Sequence, residues 1–312
     1  MIDLNSKIFL AGHNGMVGSS ILKKLKFKGY KNVITKSREQ LDLTNQNKTL
    51  SFLQKIKPDV VIIAAAKVGG INANNILRAD FLYQNIQIQN NLIHGSHLVN
   101  VQKLIFLGSS CIYPKKNKLP IKENDLLTSP LEYTNEPYAI AKIAGLKLCE
   151  NYNLQYKNNF LCLMPCNLYG PKDNYDLKNS HFFPALIRKI YEAKIKNKKF
   201  ITLWGNGRSK RELMHVDDLS DAVIYFIKKN IKESYINIGS GFEKSIQDYA
   251  KIIMKFLNVN LDIKYNNNMP NGTYRKILDC NLANHYGWNS KISINDGLID
   301  TFEYFLKNYN SK

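Results

Sequence analysis

The chain has 312 residues, of which 44% are hydrophobic, and its 44 Lys and Arg against 25 Asp and Glu give a formal net charge of +19. This length allows a sizeable core in one large domain with a smaller lobe. The basic residues are scattered along the chain, which argues against a nucleic-acid partner. The net positive charge still favours binding of a phosphate-bearing small molecule. The apolar runs are too short to span a membrane, and five irregularly spaced cysteines predict reduced thiols, no metal site and a cytoplasmic location.

The first predicted element is a strand over 7–11, which runs directly into a glycine-rich turn and then an apolar-periodic helix. In the G-x-x-G-x-x-G spacing, Gly12 permits a tight turn, Gly15 lets backbone N–H groups approach a pyrophosphate, and Gly18 lets the helix pack on the strand. The positive end of the helix faces the phosphates. Strand, glycines and helix in this order predict a dinucleotide site.

The residues after the second predicted strand, 32–35, bear on which dinucleotide is bound. An NAD-specific site carries an acidic residue there that binds the ribose 2′-hydroxyl. Lys36 and Arg38 stand there instead and suit the 2′-phosphate of NADP, although Arg38 also fits a solvated loop. Asp42 follows, and we expect it to accept a hydrogen bond from the adenine amino group.

A third strand, 59–63, precedes a long helical segment over about 76–101. The apolar positions of this segment outnumber what one helix face needs. We therefore expect part of it to pack on a second subunit, which favours a homodimer.

A fourth strand, 103–107, is followed by Ser109, and further on Tyr138 and Lys142 lie four residues apart on one predicted helix. An ammonium group beside a phenol favours the phenolate, so we expect Lys142 to lower the pKa of Tyr138. Tyr138 then exchanges a proton with a carbonyl oxygen that Ser109 also contacts, and Lys142 holds the nicotinamide ribose. Y-x-x-x-K alone also fits a core tyrosine and a surface lysine, but Ser109 and the glycine turn favour catalysis.

Longer strings carry a resemblance: GHNGMVG, AAAKVGGI, FLGSSCIYP, TNEPYAIAKIAG, NLYGP, NSHFFPALI and REL-HVDD. They resemble the extended short-chain dehydrogenases/reductases, and among these the GDP-L-fucose synthase family, over nearly the whole chain. The resemblance implies an α/β fold, a Rossmann-type doubly wound parallel sheet with a smaller α/β C-terminal substrate lobe. The NADP-binding domain is expected over 1–170 with 212–240 returning to it, and the substrate lobe over 171–211 and 241–312.

The activity that this resemblance implies is NADPH-dependent reduction of the 4-keto group of a GDP-4-keto-6-deoxy-sugar, with epimerisation at C3 and C5. Its catalytic residues are Ser109, Tyr138 and Lys142 for reduction, and Cys111 and His181 for epimerisation. Inverting a carbon next to a ketone needs a base on one face and an acid on the other, roles that a thiol and an imidazole fill. Taken alone, either residue also fits a structural role.

The resemblance also assigns binding residues. NADP(H) contacts are implied at Gly12, His13, Asn14, Gly15, Met16, Val17, Gly18, Arg38, Asp42, Leu43, Leu107, Gly108, Ser109, Ser110, Lys142, Pro165, Cys166, Asn167, Leu168 and His181. Contacts with the GDP-sugar are implied at Lys189, Trp204, Arg211 and Asn271.

Departures from the family pattern leave alternatives open. Asn14 stands where an arginine is expected near the 2′-phosphate, Lys189 where an arginine is expected, and Asn271 where an aspartate is expected. A related substrate, a GDP-4-keto-6-deoxy-heptose reduced at C4 without epimerisation, is one alternative. A nucleotide-sugar 4-epimerase or dehydratase that retains NAD is a second, and a non-catalytic dinucleotide sensor is a third.

Overall fold

The computed structural model describes residues 2–177, 180–267 and 274–309. Strands and helices alternate through most of the chain. The strands are β1 (Ile8–Ala11), β2 (Val33–Ile34), β3 (Val60–Ile63), β4 (Lys103–Leu107), β5 (Phe160–Pro165), β6 (Asn167–Tyr169), β7 (Phe200–Trp204), β8 (Lys210–His215), β9 (Tyr235–Ile238), β10 (Glu243–Ser245) and β11 (Asp262–Asn266). The helices are α1 (Met16–Phe27), α2 (Gln46–Ile56), α3 (Ile71–Ile76), α4 (Arg78–Leu98), α5 (Glu136–Tyr156), α6 (Phe182–Ile195), α7 (Val216–Ile227), α8 (Ile246–Phe256), α9 (Asn281–His285) and α10 (Ile294–Tyr309).

Six parallel strands form the central sheet in the order β2-β1-β3-β4-β5-β9. Every residue of β1, β3, β4 and β5 is buried, as expected for a parallel sheet covered by helices on both faces. The strand order reverses between β1 and β3, and ligands bind outside the carboxyl ends of the strands at such a point. The predicted fold class is confirmed.

A second apolar core lies outside this sheet. Helices α6, α8 and α10 enclose it with side chains that include Phe183, Ile187, Tyr249 and Phe305. Two small sheets, β10-β8-β6 and β11-β7, accompany these helices. This arrangement supports a separate substrate lobe, while its predicted boundaries stay a prediction.

The long helix predicted over about 76–101 is confirmed as α4, and a short separate helix, α3, precedes it. Leu77 has φ −96° and ψ 40°, which is not helical, and separates α3 from α4. Helix α4 packs along α5. In the described part of the chain, no helix combines the length and apolarity needed to cross a membrane.

Candidate active site

The glycine turn after β1 contains two glycines that the fold itself requires. Gly12 has φ +89°, and a Cβ there would lie 2.5 Å from the Ala65 nitrogen. A Cβ on Gly18 would lie 2.0 Å from the Gly12 oxygen. Gly15 differs: its φ is −73°, and its nearest neighbour would be 3.7 Å away. The chain does not need glycine at Gly15, so that position keeps space for a ligand approaching the backbone.

The start of α1 fits the phosphates of a dinucleotide. Its N-cap, Gly15, provides no side-chain cap, and the first turn holds no acidic residue. The first N–H groups of a helix need partners from outside the helix, and an anion supplies them. Beside them, the buried His13 Nδ1 has no hydrogen-bond partner within the described ranges.

The structure places the predicted contacts with the adenosine half of NADP just beyond β2. Arg38 is exposed there. The carboxylate of Asp42 accepts hydrogen bonds from the Thr44 nitrogen at 3.0 Å and the Thr44 hydroxyl at 2.8 Å. These bonds lower the pKa of Asp42. Its carboxylate is therefore bound within its own loop, and Lys36 and Arg38 are exposed cations beside it.

Other predicted cofactor contacts lie at the carboxyl ends of β4 and β5. Leu107 ends β4, and Gly108 and Ser110 are buried behind it. Pro165 ends β5, Cys166 follows it, and Asn167 and Leu168 begin β6. These segments are neighbours because β4 pairs with β5.

Ser109 and Cys111 lie together just after β4. The Ser109 hydroxyl caps a 3₁₀ turn, Ser110–Ile112, and accepts a hydrogen bond from the Cys111 nitrogen at 3.1 Å. Ile112 is fully buried and anchors the turn. The hydroxyl and the thiol are thereby held at the edge of the sheet where ligands bind.

Tyr138 and Lys142 are presented by α5, which starts with Glu136 and Pro137, residues that favour a helix N-terminus. Lys142 is 3% exposed and donates a hydrogen bond to the Leu107 oxygen at 2.7 Å. Its Nζ lies 5.8 Å from the centre of the Tyr138 ring. Tyr138 also forms a side-chain hydrogen bond with Ser109. The structure thus brings the three predicted reductase residues together.

The expected lowering of the Tyr138 pKa is wrong for the chain by itself. Burial raises that pKa, a charge on Cys111 raises it further, and the hydrogen bond with Ser109 only partly opposes them. Burial also lowers the pKa of Lys142 to about 8. Loss of hydration is the largest influence on Tyr138, while the Lys142 ammonium donates its hydrogen bond to the Leu107 oxygen. Tyr138 is therefore a neutral phenol at physiological pH, which is the form that donates a proton.

His181 lies immediately before α6 as its N-cap residue. Solvent reaches the side chain, yet the protein around it removes enough hydration to lower the pKa of the imidazole. The lowered pKa keeps the imidazole neutral at physiological pH, which is the form that can act as a general base.

The predicted substrate contacts fall in two places. Lys189 and Trp204 form a pair, with the lysine Nζ 5.6 Å from the ring centre, and Trp204 is 43% exposed. Arg211 lies on β8 and interacts electrostatically with Cys111. Asn271 lies outside the described residues.

Lys276 also belongs to the site. It lines a cavity of about 280 Å³ with Cys111, Glu132, Asn135 and Tyr274, and it interacts electrostatically with Cys111. Lys276 is 165 residues from Cys111 along the chain (276 − 111), and no local motif relates the two.

Two buried polar residues hold the substrate side together. The Glu212 carboxylate, 1% exposed, accepts hydrogen bonds from the Gly241 nitrogen at 2.8 Å and the Leu278 nitrogen at 2.9 Å. Asn237, fully buried on β9, accepts from the Tyr113 hydroxyl at 2.6 Å and donates to the Asp279 oxygen at 3.2 Å. These bonds fix the segment after Cys111 and the segment after Lys276 to the same frame.

Comparison with known proteins places this site in a family. The model of the NAD dependent epimerase/dehydratase family matches residues 8–239. The chain belongs to this family. It is 49% identical over 302 residues to a GDP-L-fucose synthase of Sinorhizobium fredii, covering 97% of this chain and 96% of that protein. It is 44% identical over 311 residues to the GDP-L-fucose synthase of Escherichia coli, covering 97% of each.

The solved structure of one similar enzyme contains a bound cofactor. The GDP-mannoheptose C4 reductase of Campylobacter jejuni with NADP bound superposes with a TM-score of 0.89 at 36% identity, covering 98% of this chain and 100% of that one. The predictions of an NADP-dependent enzyme of the nucleotide-sugar oxidoreductase/epimerase class and of NADP(H) as cofactor are confirmed. The roles of individual residues stay predictions.

Proposed function

We propose that this protein acts as a GDP-L-fucose synthase, converting GDP-4-keto-6-deoxymannose by epimerisation at C3 and C5 and reduction at C4. The observation that carries the proposal is the assembly of Ser109, Cys111, Tyr138 and Lys142 at one strand end. Sequence identities of 44% and 49% to two GDP-L-fucose synthases support the same substrate.

Reduction needs a hydride and a proton, and NADPH supplies the hydride when bound. Tyr138 gives its phenol proton to the C4 oxygen, and Ser109 donates a hydrogen bond to that oxygen as negative charge develops. Lys142, fixed to the Leu107 oxygen, orients Tyr138 and holds the nicotinamide ribose. The raised pKa of Tyr138 keeps its proton available until the alkoxide forms.

Epimerisation uses the same carbonyl group. A proton next to a ketone is acidic because the enolate places charge on the carbonyl oxygen, where Ser109 and Tyr138 stabilise it. His181 removes the proton from one face, and Cys111 protonates the other. The lowered pKa of His181 suits the base, and the thiol is held beside the hydroxyl of Ser109.

The test is product analysis by NMR with GDP-4-keto-6-deoxymannose. With NADPH we expect GDP-L-fucose, and in D₂O without NADPH we expect deuterium at C3 and C5. If C4 is reduced but no deuterium is incorporated, the protein is a C4 reductase that does not epimerise its substrate. If neither reduction nor deuterium incorporation is observed, the proposal is overturned.

A GDP-4-keto-6-deoxy-heptose is a second candidate substrate. The cavity of about 280 Å³ beside Cys111 offers polar space for a longer side chain on C5. The related solved enzyme named above is a GDP-mannoheptose reductase. Competition between the two keto-sugars decides: a higher kcat/KM for the heptose would favour this candidate.

We further propose that the protein is a cytoplasmic homodimer joined through α4 and α5. The two helices pack on each other and carry exposed apolar side chains, including Tyr83 (63% exposed) and Ile140 (43%). All five cysteines are free thiols, as in a reducing compartment. Analytical ultracentrifugation measures the assembly, and a concentration-independent monomer would contradict it.

A further inference from the structure

Lys276 is fixed in place by the backbone on either side of it. The Tyr274 oxygen accepts a hydrogen bond from the Lys210 nitrogen at 2.8 Å, and the Ile277 oxygen accepts from the Ile121 nitrogen at 2.9 Å. The next residue, Leu278, donates to the buried Glu212 carboxylate. The segment is thus tied to β8 on one side and to Ile121 on the other, so the reach of the Lys276 side chain is set by the fold.

That side chain faces the cavity that Cys111 also lines. The Lys276 ammonium and the Cys111 sulfur are close enough there to interact electrostatically. Cys111 is itself held by its backbone bond to Ser109. Since both partners stand on fixed backbone, their proximity is part of the folded site.

The surroundings of Lys276 lower the pKa of its ammonium group. Burial lowers the pKa of Lys276, and the Arg211 guanidinium lowers it further, while Cys111 and Glu132 act in the opposite direction with a smaller net effect. Lys115, Lys116 and Arg275 line the same cavity and add positive charge. An ammonium group in such surroundings gives up a proton more easily than one in water.

Resting on the proposed epimerisation, we infer that Lys276 is the proton-exchange partner of Cys111. When the thiol protonates a substrate carbon, its S–H bond breaks and a thiolate remains. Lys276 stabilises this thiolate and then passes it a proton, which restores the S–H bond and leaves a neutral amine. The amine takes its next proton from solvent, so Cys111 is reset before the second carbon is inverted. Lys276 acts through Cys111 and is a positioning residue.

The test compares Lys276→Ala with Lys276→Arg, using Lys118→Met as a control because Lys118 is an exposed lysine that does not line the cavity. Two readouts are measured: deuterium incorporation at C3 and C5 at saturating keto-sugar without NADPH, and alkylation of Cys111 by iodoacetamide, followed by mass spectrometry. For Lys276→Ala we expect exchange to fall by about 10–100-fold, alkylation to slow, and added ethylamine to restore exchange.

The arginine variant separates charge from proton transfer. Arginine keeps the positive charge but does not release a proton in proteins. We therefore expect Lys276→Arg to alkylate at nearly the normal rate while its exchange stays low.

Two results would overturn the inference. One is unchanged Cys111 alkylation in Lys276→Ala. The other is a higher KM with normal exchange at saturation, which would make Lys276 a substrate contact only. If the unmodified protein shows no deuterium exchange, the proposed epimerisation fails, and the alkylation rates still decide whether the two residues are coupled.

Discussion

The cofactor side and the substrate side of the candidate active site differ in how their residues are brought together. On the cofactor side, short runs of consecutive residues follow β1, β4 and β5, and the parallel sheet aligns them. On the substrate side, Cys111, Arg211 and Lys276 come from separate segments that Glu212 and Asn237 tie together through buried hydrogen bonds. The cofactor side therefore depends on local backbone geometry, and the substrate side depends on long-range polar contacts.

The largest expected effect is that of Tyr138→Phe, at the boundary between the two sides. The ring stays and the proton donor is lost, so C4 reduction should fall by about 10²–10⁴-fold with little change in NADPH affinity. Steady-state kinetics and a fluorescence titration with NADPH measure the two quantities. Tyr133→Phe, at a tyrosine that is 66% exposed, is the matched control. Unchanged turnover in Tyr138→Phe would remove the proposed chemistry.

The next comparison separates the two kinds of glycine on the cofactor side. Gly15→Ala places a methyl group in open space, so we expect normal thermal stability but an NADPH affinity lower by about tenfold or more, because that space serves the ligand. Gly18→Ala places its Cβ against the Gly12 oxygen and should destabilise the fold. Thermal unfolding and NADPH titration of both variants test this. Equal losses of stability would contradict the distinction.

On the substrate side, we expect Glu212→Gln to weaken the fold and substrate binding while leaving cofactor binding unchanged. The amide keeps one acceptor oxygen and loses the other, so either Gly241 or Leu278 loses its partner, at a cost of about 1–3 kcal/mol. We expect denaturant unfolding to show that loss, and the KM for the keto-sugar to rise at unchanged NADPH affinity. Glu303→Gln, at an exposed glutamate of α10, is the control. If NADPH affinity falls in parallel, the two sides are not independent.

The smallest expected effect is a pH dependence on the cofactor side. The pKa of Lys142 is lowered to about 8, so the group is an ammonium below that pH and a neutral amine above it. Reduction at saturating NADPH should therefore decline as the pH rises through about 8. Lys142→Arg stays charged, and its weaker activity should lack this decline. A wild-type rate that holds up to about pH 10, where an ordinary lysine titrates, would contradict the role of burial.

The cofactor side was largely predictable because its signals are local. A strand, three spaced glycines and a helix follow one another within about one βαβ unit, and the turn geometry at Gly12 requires what the spacing indicates. The four-residue spacing of Tyr138 and Lys142 puts them on one helix face in any fold that keeps the helix. These features, with the family motifs, determined the fold class, the NADP(H) cofactor and the reductase residues as candidates.

Tertiary structure alone decided the rest. The proximity of Lys276 and Cys111 depends on how distant segments are tied to Glu212 and Asn237, and no period or spacing encodes it. The direction of the Tyr138 pKa was likewise wrong from sequence, because helix spacing indicates which groups are near but not how much hydration each loses. Hydration depends on everything packed around a group, and only the complete fold sets that.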